Sequence, residues 1–182
     1  MASAYIQTYS GTEFYSLEPD HDDVQLIDIA HALSNKCRFA GHCRDFYSVA
    51  QHSVLVSRQL PQEFKLWGLL HDAGEAYFAD IPNPIKREFP LFEAIETTIM
   101  RAVAKRFHLS WPEPAEVKHA DKQLLATEAR DLLNVAWRDW EEIWKPIALE
   151  EIIVAITPKE AEVMFLEEFH MLYDIHKTGA AK

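Results

Sequence analysis

Glycine is scarce in this chain. Five occur in 182 residues (Gly11, Gly41, Gly68, Gly74 and Gly179), and they form neither a G-x-G-x-x-G nor a G-x-x-x-x-G-K pattern, which disfavours Rossmann and P-loop nucleotide folds. Cysteine is rarer still. Cys37 and Cys43 stand in a polar, loop-like stretch at a spacing that suits neither a C-x-x-C zinc knuckle nor a redox pair, and two thiols in a chain of this size point to a reducing cytosol. Long apolar runs are missing: no window approaches the roughly 18 uninterrupted apolar residues of a membrane span. Met1 to Tyr15 also lacks a basic segment followed by an apolar one. The expectation is a cytoplasmic protein with no membrane partner. Cations are outnumbered, 18 Lys and Arg against 29 Asp and Glu, for a net charge of −11 and a pI near 5.2. That balance argues against a nucleic-acid polymer as partner, and any anion the protein handles must meet a local cluster of cations.

What is abundant is the ligand chemistry of divalent metals, nine histidines and twenty-nine carboxylates, together with 48% hydrophobic residues, enough for one core. Residues 1–24 read as an irregular N-terminal segment marked by Gly11, Pro19 and the acidic run Asp20-His21-Asp22-Asp23. From Gln25 onward the apolar period is helical. Leu26, Ile29, Ala30 and Leu33 make one stripe and Val49, His52, Val56 and Leu60 another. A ladder of Leu91, Ile95, Ile99, Val103 and Phe107 predicts a helix from near Pro90 to near His108. Val117, Leu124, Leu125, Leu132 and Val135 follow on the next helix, and Ala161, Phe165 and Leu172 on a last one from about Pro158 to Tyr173. Trp137, Trp140 and Trp144, at spacings of three and four, read as a packed stripe or a dimer face. With no repeat and no Gly/Ser linker, the chain reads as all-α: one compact domain over residues 1–182, with about six main helices.

Certain polar side chains sit where that period calls for apolar ones. His52 shares a stripe with Val49 and Val56, and Asp121 shares one with Val117, Leu124 and Leu125. Burying either without a partner costs roughly 2–7 kcal/mol for a neutral group and more for a charged one. Between them, after the apolar run Phe64–Leu70, comes His71-Asp72. Adjacent helical side chains diverge by about 100°, so these two can meet one ion only in a crevice at their helix end. Each signal alone is weak, since a lone His on an apolar face is mostly a satisfied core residue. The order His52, His71-Asp72, Asp121 on successive helices is a much stronger pattern.

That pattern resembles the HD-domain metal-dependent phosphohydrolases, over about Ile29 to Leu132. The words Cys37-Arg38-Phe39, Tyr47-Ser48-Val49-Ala50-Gln51-His52-Ser53, Leu70-His71-Asp72-Ala73-Gly74-Glu75-Ala76 and Asp80-Ile81-Pro82-Asn83-Pro84-Ile85-Lys86 are similar to the 5′-deoxynucleotidase branch. Its short phage and bacterial members, which include the phage deoxyadenosine triphosphate triphosphohydrolases, look closest. The resemblance implies an HD-domain helical bundle with His52, His71, Asp72 and Asp121 as metal ligands. It makes Glu75 the acidic catalytic residue that orients or deprotonates water, and matches Asp80 and the turn to Asn83 to the nucleoside-contacting segment. Arg38-Phe39 becomes the pair touching phosphate and base or sugar. Phe39 stands where better-known bacterial members have Trp, and Gly74 where Ser is common; the Asp72-to-Asp121 gap is shorter than theirs. The words marking guanosine-tetraphosphate and cyclic-dinucleotide hydrolases, Glu-Asp in place of Glu75-Ala76 and Gly-Tyr-Pro, are missing.

The chemistry of the residues agrees. Two His and two Asp suit one divalent transition metal, Co, Mn, Zn, Fe or Ni, with a second Mg or Mn entering with substrate phosphates. Arg38, Arg44, Lys86 and Arg87 are the cations nearest the motif, Arg38 able to grip two phosphate oxygens and Lys86 acting as a point charge. Lys86 and Arg87 read equally well as a solvated helix end, Phe39 as core, and Asp80 as a turn residue. Glu128, one heptad after Asp121, is a candidate supporting residue; His42 is a candidate pocket residue and His119 a surface one. The expected function is metal-dependent hydrolysis of the 5′-phosphoester of 2′-deoxynucleoside mono- or triphosphates by a homo-oligomer. Conversion of deoxyadenosine triphosphate to deoxyadenosine plus triphosphate is its sharper form. The rival readings are a non-catalytic HD-fold sensor of nucleotide or metal, and a structural module assembled through its Trp face.

Overall fold

A computed structural model of the chain describes residues 4–134 and 148–179. Val135, Trp137, Trp140 and Trp144 fall outside the described residues. The described part is built of helices α1 (Leu26–Ser34), α2 (Val49–Arg58), α3 (Lys65–Leu70), α4 (Asn83–Lys86), α5 (Pro90–Arg106), α6 (Ala115–Leu132) and α7 (Pro158–Gly179). The only regular strands among the described residues are the two-residue β1 (Ile6–Gln7) and β2 (Glu13–Phe14), paired antiparallel. The all-α expectation holds. Those strands form a short hairpin within the N-terminal segment. Its Ser10 donates to the buried Asp28 carboxylate through both N–H and Oγ, at 2.6 and 2.9 Å. Phe14, fully buried, stacks on Tyr77 with ring centroids 3.9 Å apart.

Local chemistry sets the helix ends. The Ser48 hydroxyl caps α2 by accepting from the Gln51 N–H. Pro90 opens α5, where its missing N–H costs nothing. Thr157 and Glu160 form a reciprocal capping box at the start of α7, with Pro158 between them. The C-terminal helix runs past Tyr173 to Gly179, two turns of which the apolar stripe gave no sign. The ladder on α5 is buried at Ile99, Val103 and Phe107, but Leu91 is 69% exposed because the first turns of α5 project beyond the core.

The core gathers where α2 packs on α3, α1 and α7. The α2–α3 contact is the tightest. A Cβ at Gly68 would stand 3.1 Å from the Ser57 Cα and 2.3 Å from the Leu60 Cδ1. Ser57 Oγ donates to the Lys65 carbonyl across the same contact, at 2.7 Å. A strap without helix or strand, residues 149–156, then binds α2 to α6. The Gln51 amide donates to the Val154 carbonyl and accepts from the Ile156 N–H, at 2.8 and 3.1 Å. From α6, Thr127 Oγ1 accepts from Leu149 N–H and Asp131 Oδ2 from Ile153 N–H, both at 2.9 Å, and Arg130 donates to the carbonyls of Leu149 and Glu151.

Gly68→Ala forces backbone apart at the α2–α3 contact. Overpacking of this kind costs about 1–3 kcal/mol, so thermal unfolding of the variant should show a midpoint several degrees below the parent.

Candidate functional site

The chain turns sharply where α3 stops. His71 keeps helical angles, but Asp72 departs to φ −98° and ψ 11°, and residues Ala73–Tyr77 continue as a 3-10 turn. This break lets adjacent side chains converge. Glu75, three residues beyond Asp72, lies on this tighter turn and not on a continuing α-helix. Gly74 is the residue that fits here: its N–H points at the Met100 sulfur, 3.1 Å away, and a Cβ would lie 3.1 Å from that sulfur and 3.2 Å from its Cγ. The Ser common at this position in the resembled branch would crowd Met100.

His52, fully buried on α2, and His71 bring their Nε2 atoms to 3.3 Å. Asp72 Oδ2 lies 3.2 Å from His71 Nε2 and 3.6 Å from His52 Nε2. These three groups have ligand atoms within 4.8 Å of one another. Asp121 stands one step outside that trio, with Oδ1 3.2 Å from His52 Nε2 and a side chain 37% exposed. Both imidazoles are anchored by their other nitrogen, His52 Nδ1 on Glu128 Oε1 at 2.6 Å and His71 Nδ1 on the Gly68 carbonyl at 2.8 Å. With Nδ1 donating, each neutral ring presents an Nε2 lone pair to the centre. Two lone pairs facing at this separation repel unless a proton or a cation lies between them, and the donor set of nitrogen and carboxylate oxygen is that of a divalent transition-metal site.

The charges show how strongly the centre calls for positive charge. Burial opposes protonation of His71, yet Asp72, with Asp121 and Glu113, outweighs burial and lifts it to about 10. Burial and Arg38 both work against a proton on His52, and Glu128 and Asp121 overcome them to raise it. Burial resists ionisation of Asp72, but His71, His52 and Arg38 hold its carboxyl well below the usual carboxylate range.

Glu128 is fully buried and does more than meet His52. Its Oε1 also accepts from Tyr47 Oη at 2.8 Å, and its Oε2 faces Arg38 Nη2 at 3.2 Å. Arg38 extends on to Asp72, with Nη1 3.5 Å from Oδ2, and lies over the Phe39 ring. Its Nε is buried without a hydrogen-bond partner among the described residues. The loop that aims it is held in a rare shape, Phe39 and Ala40 both being left-handed at φ 54° and 50°.

Beside the centre opens a cavity of about 600 Å³ that brings together Arg38, Phe39, Asp72, Glu75, Asp80, Lys86 and Asp121, with His42 at its rim. Ile81, Pro82, Leu125 and Leu133 give it apolar walls. Glu75 is 5% exposed, and its Oε2 has no hydrogen-bond partner among the described residues. Burial, then Asp72 and Asp80, push its carboxyl well up from the ordinary range. Burial likewise raises Asp80, against the pull of Arg38. A second cavity, about 490 Å³, lies against His71 and shares Asp72, Lys86 and Asp121 with the first; Arg87, Lys118 and Lys122 line it along with Glu93, Glu96 and Glu113. Lys86 is half-buried between the two and ion-paired with Glu96 at 2.8 Å, so it is no solvated helix end. Asn83 begins α4, its side chain outside the described ones. Arg44 turns away to the Asp131 carbonyl, and His119 is exposed, as expected.

Tyr47, the Gly68 carbonyl and Lys36, which reaches the Glu75 carbonyl, are the contributors that sequence reasoning missed. None disturbs an apolar period, so none left a signal.

No protein-family model matches the chain. It is 42% identical to the uncharacterized protein YfdR of Escherichia coli strain K12, over 97% of this chain and 99% of that one. The uncharacterized protein RCAP_rcc00048 of Rhodobacter capsulatus is 28% identical over 94% of this chain and 97% of its own length.

A metal at this centre competes with the proton on His71. That proton adds to the stability of the metal-free protein below the unfolded-state value near 6.5, and the contribution is lost as pH rises through about 10. An ion bound there would displace that proton, so apparent metal affinity should climb as pH rises toward about 10, read by calorimetric titration with Mn or Co. Glu128→Gln, which removes the charge behind His52, should weaken metal binding by about 10- to 100-fold in the same titration.

Proposed function

The chain belongs to one family with YfdR of Escherichia coli, and for a protein with this site we propose metal-dependent hydrolysis of the 5′-phosphoester of 2′-deoxynucleoside phosphates. The observation that carries the reading is the pairing of two inward-facing imidazole nitrogens, 3.3 Å apart, with a buried carboxyl that has no hydrogen-bond partner on one oxygen, Glu75, in the adjoining cavity. His52, His71, Asp72 and Asp121 would hold a divalent transition metal. When bound, such an ion polarises a phosphoryl oxygen and acidifies water.

The remaining steps belong to the protein's own groups. The apolar walls and the Phe39 ring take the base or sugar, in a cavity within the usual size for a small-molecule site. Arg38 Nε, a buried donor without a partner, receives a phosphate oxygen, and Lys86 adds a second positive charge. As water attacks phosphorus and the bond to the 5′ oxygen breaks, Glu75 takes a proton from that water and returns it to the departing oxygen. A carboxyl raised by burial toward neutrality is suited to both transfers. The substrate is a mono- or triphosphate, deoxyadenosine triphosphate being the sharpest form, with a second Mg or Mn ion carried by its phosphates. The free state of Cys37 and Cys43 supports a cytoplasmic setting; no helix among the described residues is long and apolar enough to cross a membrane. A homo-oligomer is part of the same reading. A bare sensor would need the ligands but not Glu75.

The test is phosphate or polyphosphate release from a panel of deoxy- and ribonucleoside mono- and triphosphates with Mn or Co. Turnover of deoxynucleotides is expected, with Glu75→Ala lower by about 10²- to 10⁴-fold. Absence of metal-dependent release from every member of the panel would overturn the proposal.

A further inference from the structure

The carboxyl of Glu75 has a peculiarity: one of its oxygens has no hydrogen bond from the described residues to aim it. With no hydrogen bond aiming that oxygen, the position of the backbone that bears it matters more, so whatever fixes the Ala73–Tyr77 turn helps to place the carboxyl. Three contacts grip this turn from different sides. Ser16 Oγ donates to the Tyr77 carbonyl at 2.8 Å, and Phe14 stacks on the Tyr77 ring. Met100 lies against Gly74. The third grip falls on Glu75 itself, whose carbonyl receives the Phe78 N–H at 3.3 Å and also the Lys36 ammonium.

Lys36 is well placed to act as a fixed post. Its own carbonyl accepts from the Val49 N–H at 3.0 Å, and Arg38 N–H donates to the Tyr47 carbonyl at 2.9 Å, so its backbone is tied to the start of α2. Its side chain is half-buried and does not line the substrate cavity. Glu75 and Asp80 lie close enough for their carboxylates to favour its charge. Holding the ammonium inside costs desolvation, which lowers its pKa; Glu75 and Asp80 act in the opposite direction without cancelling that cost.

Resting on the proposed hydrolytic reading, we propose that Lys36 is a positioning residue for Glu75: it tethers the turn by the Glu75 carbonyl, lends positive charge beside Glu75 and Asp80, and touches neither substrate nor metal. The α2 N-terminus, which leads directly to His52, and the Glu75 turn are thereby set in one register.

Lys36→Met keeps the apolar stem and removes the ammonium, and Lys159→Met, an exposed lysine of α7, serves as control. In the full-length protein loaded with Mn, Lys36→Met should lower kcat by about 10- to 100-fold, as misplacement of a reacting group by about an ångström does. KM should stay within about twofold and Mn affinity, read by paramagnetic resonance, should not change. Placed on Glu75→Gln, the same substitution should have little further effect on kcat. Hydrogen exchange gives a readout free of activity: peptides spanning residues 73–80 should lose protection in Lys36→Met and not in Lys159→Met. Unchanged protection would overturn the tether, and an undiminished kcat loss on the Glu75→Gln background would overturn its action through Glu75. A parent protein that binds Mn but hydrolyses no phosphoester would instead overturn the proposed function, leaving exchange to decide on Lys36.

Discussion

Two imidazole nitrogens held 3.3 Å apart with their other nitrogens already committed is an arrangement that costs energy until something positive enters it. Its existence depends on α2 and α3 approaching almost backbone to backbone, which the missing side chain at Gly68 permits. The same glycine supplies the carbonyl that orients His71. Packing and chemistry are thus joined at one residue: the contact that closes the core also sets the tautomer of His71. Around the centre, Arg38 bridges Glu128 and Asp72, so the carboxylate behind one imidazole and the carboxylate beside the other are tied through a single guanidinium.

An overall charge of −11 gives no hint of how charge is arranged here. The buried acids are not a diffuse negative field. Each has an assigned cation or proton: Glu128 has Arg38 and His52, Asp72 has the two histidines and Arg38, and Asp28 has the hydroxyl and amide of Ser10. Glu75 differs in that its Oε2 is neither ion-paired nor hydrogen-bonded among the described residues, and it opens onto the larger cavity. Lys86 sits where the two cavities meet with Glu96 as a partner, which holds the ammonium in place in the absence of any anion.

The parts of the site legible in the sequence were those that break a pattern. His52, Asp121 and Glu128 stand on apolar stripes, and a polar residue there needs a reason, which the fold supplies as a shared centre. His71-Asp72 was legible through its place at the end of an apolar run, although the sharp turn that makes the two converge was not, because it depends on Met100 arriving from α5. Lys36 and Tyr47 act through contacts 39 and 81 residues distant in the chain, and nothing local marks them. The helices were legible from their period, with limits of the same kind. Leu91 continued the α5 ladder beyond the point where α5 leaves the core, and the N-terminal hairpin is too short for strand alternation to register. Phe14 is core by virtue of Tyr77, a partner no periodicity could name.

The strap of residues 149–156 has a consequence in time. Gln51 precedes His52 by one position and Thr127 precedes Glu128 by one, so the strap grips α2 and α6 immediately beside the groups that make the centre. His52, His71, Asp72, Asp121 and Glu128 all precede residue 149 in the chain. A growing chain therefore carries the side chains of the centre before the segment that braces their helices has been made.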